Sequence, residues 1–196
     1  MAVKTFTQAE KLTAADTNTY LTNGGLVWVA TATAPGTSRA LLLDNIFTST
    51  FTSYRCVVRL RSTVNTNALF FQYLDTSGNS VTSGYFGTAY SQDFTAGGTG
   101  FTPAALNISS AQYVGYIPNS SSHYLNAVLD IYAPNVAADA TAINGQFVGI
   151  SSGAAYAGGQ VLGMMSVAAA YRGLRFDNGG AGNLTGSISV YGYRIS

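Results

Sequence analysis

The sequence predicts an all-β protein, an antiparallel β-sandwich of jelly-roll type with a short N-terminal helix. From residue 26 onward, apolar residues recur with period two, as in strands with one buried face. These runs are separated by stretches rich in Gly, Asn, Asp and Ser, which favour turns. No long helical pattern alternates with the strands, which argues against an α/β fold. Roughly eight to ten strands are expected on this spacing.

The helical pattern lies at the front, in LTAADTNTYLTNGG, residues 12–25. Thr13 can serve as an N-cap, Asp16 suits the positive end of the helix dipole, and Asn23-Gly24-Gly25 ends the helix. A helix of about two turns is unstable alone in water, so it must pack on something, either its own domain or another chain. We predict an attachment segment at 1–25 and a β domain at 26–196, with attachment or oligomer contacts through Leu12, Asp16, Tyr20 and Leu21.

The first predicted strands are LVWVAT, RALLLDNIF, YRCVVRLR and ALFFQYLD. In the third of these, Cys56, Val58 and Leu60 alternate with Val57, Arg59 and Arg61. The two arginines lie two residues apart and share one face of the strand. We interpret that face as solvated or as part of an interface.

The later predicted strands are HYLNAVLDIYAP, INGQFVGIS, YRGLRFD and NLTGSISVYGYR. The last has one apolar face and one face rich in hydroxyls, as expected for a half-buried antiparallel strand. Two segments are ambiguous. Residues 91–110 are interpreted as a long loop with room for a short turn of helix. Residues 153–171 are alanine-rich and fit helix or strand, and their glycines favour strand or loop.

Charged residues make up 9% of the 196 residues, against about 25% in a typical soluble domain. Such a surface offers little repulsion between copies, and edge strands with few charges favour association. We therefore expect an oligomer, with a homotrimer as the specific prediction. The net charge of +1 provides no footprint for nucleic acid. No apolar run follows Met1, so a secretory signal is not expected. No apolar run in the sequence is long enough to span a bilayer, so membrane insertion is not expected either.

Residues that carry catalytic chemistry are scarce in this chain. His123 is the only histidine, Cys56 the only cysteine and Glu10 the only glutamate. A Cys–His couple, a zinc site and paired carboxylates each need sets of residues that the pattern does not group. We therefore predict a non-enzymatic protein without metal or cofactor, and a polysaccharide-degrading enzyme is the remote alternative.

The best candidate for binding is SGYFGTAYSQDF, residues 83–94. Tyrosine provides contact area and a polar tip at low entropic cost, which suits recognition surfaces. We predict a receptor-binding loop carrying Tyr85, Phe86, Tyr90 and Phe94. The alternative is that some of these aromatic residues belong to the core.

The stretch TFTQAEKLTAADTNTYLTNGGLVWVA resembles the opening of many tailed-bacteriophage tail-fibre or minor structural proteins. Their pattern is T-F, a few residues, L-T-A-A-D, one residue, then N-T-Y-L. The chain matches at Thr5, Phe6 and residues 12–16 and 18–21, and it departs near Ala9, Thr17, Thr22 and Gly24. GSISVYGYR and FTSYRCVVRLRS also resemble segments of phage β-sandwich proteins.

The resemblance implies a structural protein of the virion, made in the host cytoplasm and displayed on the particle exterior. Its partners would be other virion proteins of the tail or capsid and a host surface glycan or protein. A tail-fibre or receptor-binding module is the first expectation, and a capsid decoration (cement) protein is the alternative. The motif carries no catalytic residues.

Overall fold

A computed structural model describes residues 25–64, 67–93, 101–104, 110–150 and 156–193. The predicted N-terminal helix, its contact residues Leu12, Asp16, Tyr20 and Leu21, and Phe94 lie outside the described residues. Within those ranges the regular structure is β-strand, and no helix has the length and apolar character needed to cross a membrane.

Twelve strands form the described fold. They are β1 (Leu26–Pro35), β2 (Ala40–Leu43), β3 (Ser53–Ser62), β4 (Asn67–Leu74), β5 (Tyr85–Asp93), β6 (Phe101–Ala104), β7 (Gln112–Ile117), β8 (Leu125–Tyr132), β9 (Ala142–Ile150), β10 (Tyr156–Met165), β11 (Gly173–Asn178) and β12 (Leu184–Tyr193).

The strands form two sheets, and every pair of neighbours is antiparallel. One sheet has eight strands in the order β1-β12-β3-β8-β9-β10-β5-β6, and the other has four in the order β2-β11-β4-β7. The prediction of an all-β fold with antiparallel sheets is confirmed. The two sets β1-β12-β3-β8 and β2-β11-β4-β7 interleave in the order of a jelly roll. The pairs β5–β6 and β9–β10 extend the larger sheet beyond this frame.

The core lies between the two sheets. Leu60, Leu129 and Ile188 belong to the eight-stranded sheet, and Phe71 and Phe176 to the four-stranded one; all are buried in one cluster. Each fully buried side chain of this size contributes about 1.5–3 kcal/mol of hydrophobic free energy. The predicted alternation in β3, β8 and β12 is confirmed, because inward residues such as Leu60, Leu129 and Ile188 are buried and the residues between them are more exposed.

Three strands differ from the sequence-based prediction. The predicted binding loop at 83–94 is largely β5, the predicted loop at 91–110 contains β6, and β7 was not predicted. The strand interpretation of 153–171 is confirmed by β10. The inward positions of β5 include the small residues Gly87 and Ala89 beside Tyr85, while Phe86 and Tyr90 point outward, so both faces of this strand carry aromatic residues. Nearly every residue of β7 is buried, so that strand shows no alternation.

Candidate binding surface on the eight-stranded sheet

The solvent-facing side of the eight-stranded sheet, here called the outer face, carries most of the exposed apolar surface. Successive side chains of a strand point to opposite faces, and the strand register aligns the outward residues in rows. Of the fourteen large hydrophobic side chains exposed in the described residues, all but Leu42, Val64 and Val167 lie on this face. They are Leu26, Trp28, Val57, Phe86, Tyr90, Val128, Tyr132, Val148, Tyr156, Leu162 and Met164. An apolar face of this kind marks an interaction surface.

One part of the outer face lies on β5 and β10, near the β6 edge of the sheet. Phe86 and Met164 are cross-strand partners, and their exposed fractions are 58% and 54%. Tyr90 and Leu162 are exposed nearby on the same strands. These four residues are called the β5–β10 patch. Two predicted binding residues, Phe86 and Tyr90, therefore lie together on a surface.

Tyr85 does not belong to that surface, contrary to its place in the predicted loop. Its side chain points into the sandwich and is only 2% exposed. The Tyr85 hydroxyl donates to the carbonyl of Val81 at 3.1 Å and accepts from the amide of Tyr73 at 2.7 Å. Its ring stacks on that of Tyr73. Burial raises the pKa of the Tyr85 phenol well above its usual range. Tyr85 is a core residue with satisfied hydrogen bonds.

A shallow groove crosses the outer face along β8 and β9. It joins two depressions of about 320 and 230 Å³, which share Val128 and Gln146. The short side chains of Val57, Val128 and Val148 form an apolar floor, and Asn126 and Gln146 place amides beside it. This β8–β9 groove has a charged group at each end.

At one end, an ion pair joins β3 to β8. Arg55 donates to both carboxylate oxygens of Asp130, at 2.8 and 2.7 Å, and the hydroxyl of Tyr193 donates at 2.6 Å. The hydrogen bond from Arg55 is the largest cause that lowers the pKa of the Asp130 carboxyl, and partial burial opposes it. Burial, followed by the hydrogen bond to Asp130, raises the pKa of Tyr193 to about 12.

At the other end, two arginines share one aromatic ring. The guanidinium carbon of Arg59 lies 3.6 Å from the ring centroid of Tyr124, and that of Arg61 lies 5.2 Å from it. Arg61 also donates from Nη1 to the carbonyl of Ser120 at 2.8 Å. Asn126, the cross-strand partner of Arg59, donates to the carbonyl of Tyr124. This end of the groove carries positive charge.

His123 and Cys56 lie in different surroundings. His123 Nδ1 is 2.8 Å from the hydroxyl oxygen of Ser120, which also accepts the amides of Ser122 and His123 and so closes a local turn. Its Nε2 lies 3.2 Å from the Tyr156 hydroxyl. Cys56 is fully buried, and burial raises the pKa of its thiol to about 12. Across the described ranges, no three His, Cys, Asp or Glu side chains gather as a metal site.

A third depression, of about 680 Å³, lies at one end of the sandwich and is lined mainly by small residues and Tyr171. Its one charged residue, Asp75, accepts the amides of Ser77 and Asn79 at 2.9 and 2.8 Å. The hydrogen bond from the Asn79 amide is the largest cause that lowers the pKa of the Asp75 carboxyl. Asp75 thus serves the turn that contains it.

Comparison with protein-family models gives no match, and neither does comparison with curated proteins. Among solved structures, the chain is similar to the CBM2 module of the evolved Dit of Lactobacillus casei BL23 phage J-1. The two are 8% identical, with 84% of this chain and 77% of that chain covered, and the TM-score is 0.22. A TM-score this low does not establish a common fold.

The β8–β9 groove was not predicted from the sequence, although a signal for it was present. In β3 and β8 the polar faces include Val57 and Val128, which break the polar pattern beside Arg59 and Asn126. Val57 and Val128 are cross-strand partners, and adjacent exposed apolar residues of this kind can form a contiguous patch that marks an interaction surface.

Proposed function

We propose that this chain is a non-enzymatic bacteriophage virion protein displayed on the particle exterior, and that it is a tail-fibre or receptor-binding module that contacts its receptor through the outer face. The observation that carries the proposal is the concentration of exposed large hydrophobic residues on that face. The N-terminal resemblance to tail-fibre and minor structural proteins supports the virion assignment.

The chemistry of the outer face suits a glycan or a protein receptor. Exposed rings such as Trp28, Phe86 and Tyr156 offer flat apolar area, and Asn126 and Gln146 offer donors and acceptors beside it. Binding sites combine such apolar area with a few polar groups that fix orientation. A single shallow site binds weakly, and several copies on one particle multiply the affinity.

A capsid decoration protein is the second candidate, and the extent of the outer face favours it. Exposed apolar residues reach from Trp28 on β1 to Phe86 on β5, so much of the sheet could rest on a shell. The cores of protein interfaces are depleted of charged residues. The outer face is likewise poor in charge, except in the region around Arg55, Arg59 and Arg61. In this case the same residues would contact capsid subunits.

Immunogold labelling of intact particles with antibody against residues 26–196 separates the two candidates. We expect gold at the tail tip. Gold spread over the head would identify a decoration protein, and the absence of gold on accessible particles would contradict the virion assignment.

A competition assay tests the outer face itself. Purified protein should slow phage adsorption to host cells, and the double variant Phe86→Ser with Met164→Ser should lose this effect. The control is Leu42→Ser, which removes an apolar side chain of similar exposure from the four-stranded sheet. Equal competition by all forms would exclude the β5–β10 patch from the receptor contact.

The proposal includes the absence of enzymatic activity. Host capsule or exopolysaccharide incubated with the protein should yield no new reducing ends. Their release, retained after a further chromatographic step, would overturn this part of the proposal.

A further inference from the structure

The arginines of the described residues divide into two groups. Four of the six form ion pairs with aspartates: Arg39 and Arg175 with Asp177, Arg55 with Asp130, and Arg172 with Asp44. Arg59 and Arg61 form no ion pair within the described ranges and share the ring of Tyr124 instead. In a chain with so few charges, two cations held together without a carboxylate need an explanation.

The two arginines differ in how they are held. Arg61 is half-buried and anchored by its hydrogen bond to the Ser120 carbonyl. Arg59 is exposed and stacks on Tyr124, and its N–H donors meet no acceptor among the described residues. Arg59 therefore presents a free donor set over the end of the β8–β9 groove, which it lines.

The electrostatics of this cluster favour an anion. Two guanidinium groups near one ring repel each other, and a ring offers each exposed cation only about 0.5–1 kcal/mol. An oxyanion between them would offset the repulsion and accept charge-assisted hydrogen bonds. The planar fork of arginine fits a carboxylate or a phosphate through two parallel bonds.

The residues around Arg59 indicate what kind of molecule would bear the anionic group. Val57 and Val148 provide an apolar floor, and the amides of Asn126 and Gln146 lie beside it. The groove continues from Arg59 to Arg55, four residues along β3, which is about 13 Å. An extended ligand with apolar patches and many hydroxyls fills such a groove better than a free ion does.

We propose that Arg59, supported by Arg61, Tyr124 and Asn126, binds an oxyanion of an acidic saccharide chain, with the sugar rings lying along the β8–β9 groove. The shared chemistry is a carboxylate or phosphate on a polyhydroxyl chain. This inference rests on the proposed receptor-binding function and names the class of receptor.

The test is an NMR titration of the full chain with defined probes, which follows the Arg59 side-chain Nε–H and the Asn126 amide signals. The anionic probes are trigalacturonate and a trimer of glycerol phosphate, and maltotriose is the neutral probe. We expect saturable shifts with at least one anionic probe and binding of maltotriose at least about tenfold weaker. The two anionic probes distinguish carboxylate from phosphate recognition.

Arg59→Gln should weaken binding of the anionic probe about tenfold, because it removes the charge and the fork together. Arg59→Lys should also weaken it, since lysine keeps the charge but loses the planar fork. The matched control is Arg39→Gln, which removes the same charge from an exposed arginine paired with Asp177, a residue of the four-stranded sheet. Arg39→Gln should bind the probe as the natural chain does.

Several outcomes would overturn the inference. One is the absence of saturable shifts with both anionic probes up to about 50 mM, far above the Kd of an effective charged contact. Others are equal binding of maltotriose, an equal loss in Arg39→Gln, or equal binding of triglutamate, which would indicate an acidic peptide. In each case, competition for phage adsorption by the natural chain would still support the receptor-binding function. If the natural chain bound the anionic probe but did not compete for phage adsorption, the proposed receptor-binding function would instead be contradicted.

Discussion

At the scale of single residues, Asp130 is held by three hydrogen bonds on the outer face, two from Arg55 and one from Tyr193. We expect Asp130→Asn to lower the free energy of unfolding at pH 7 by about 1–2 kcal/mol, because an amide cannot accept the two charge-assisted bonds from Arg55. Urea denaturation measures this difference. The control is Asp139→Asn, which changes the same charge at an exposed position.

The stability difference caused by Asp130→Asn should depend on pH. The pKa of Asp130 is lowered in the folded protein, so its stabilising effect is complete above the unfolded value of about 3.9. That effect is lost as the pH falls through the lower, folded pKa. The stability difference between the natural chain and Asp130→Asn should therefore shrink below about pH 4. A difference that stayed constant down to pH 2 would contradict the assignment of the lowered pKa to this ion pair.

At the scale of elements, two neighbouring residues of β5 have different environments: Tyr85 lies in the core and Phe86 lies on the outer face. Tyr85→Ala should lower the free energy of unfolding by about 3–5 kcal/mol, since it empties a buried site. Phe86→Ser should change it by about 0.5 kcal/mol or less, because Phe86 is exposed. Denaturant unfolding of both variants checks this contrast. Similar losses in the two would show that the outer face of β5 is covered in the folded protein.

The part of the eight-stranded sheet that contains β5 and β10 depends on a contact between two glycines and the buried side-chain amide of Gln112. Gly87 and Gly163 are cross-strand partners on β5 and β10, and a Cβ at either would overlap the carboxamide of Gln112. Gln112 is buried and donates to the carbonyl of Tyr113 at 3.1 Å. Gly163→Ala should therefore lower the free energy of unfolding by about 1–3 kcal/mol through overpacking.

A double-mutant cycle isolates that contact. Gln112→Ala makes room for the added methyl group, so Gly163→Ala should cost less in that background, by at least about 0.5 kcal/mol. Equal costs in the two backgrounds would place the destabilisation in the backbone of β10 rather than in the contact with Gln112.

The elements differ in how far the sequence could predict them. β3, β8 and β12 each have one face on the core and one in solvent, so alternation placed their buried residues correctly. β7 has no solvent face, because β5 and β9 contact it in addition to β4, and a continuous buried run leaves no period to detect. β5 places Gly87 inward beside Gln112, and it places one aromatic residue, Tyr85, inward and two, Phe86 and Tyr90, outward. Its aromatic content indicated binding, but only the fold shows that Tyr85 and Phe86 have opposite roles.

At the scale of the whole molecule, the outer face raises the question of what covers it. A face with eleven exposed large hydrophobic residues on a chain that is 9% charged has little to prevent association. Either copies of the chain pair through this face, or the copies assemble elsewhere and leave the face free for a receptor. The predicted attachment segment at 1–25 would provide the second route, which agrees with the proposed function.

Light scattering after size exclusion distinguishes these arrangements. We expect the natural chain at micromolar concentration to have about three times the 20.4 kDa mass of one copy. Phe86→Ser with Met164→Ser should keep that mass, because we predict that the trimer forms through the N-terminal segment, and should lose competition for phage adsorption. Deletion of residues 1–25 should give a monomer that retains the sandwich.

A monomeric double variant would instead assign the β5–β10 patch to contacts between copies, and a monomeric natural chain would refute the trimer. A trimer that survives both changes would place the contact between copies on a third surface, with the four-stranded sheet around Leu42 the next to be substituted.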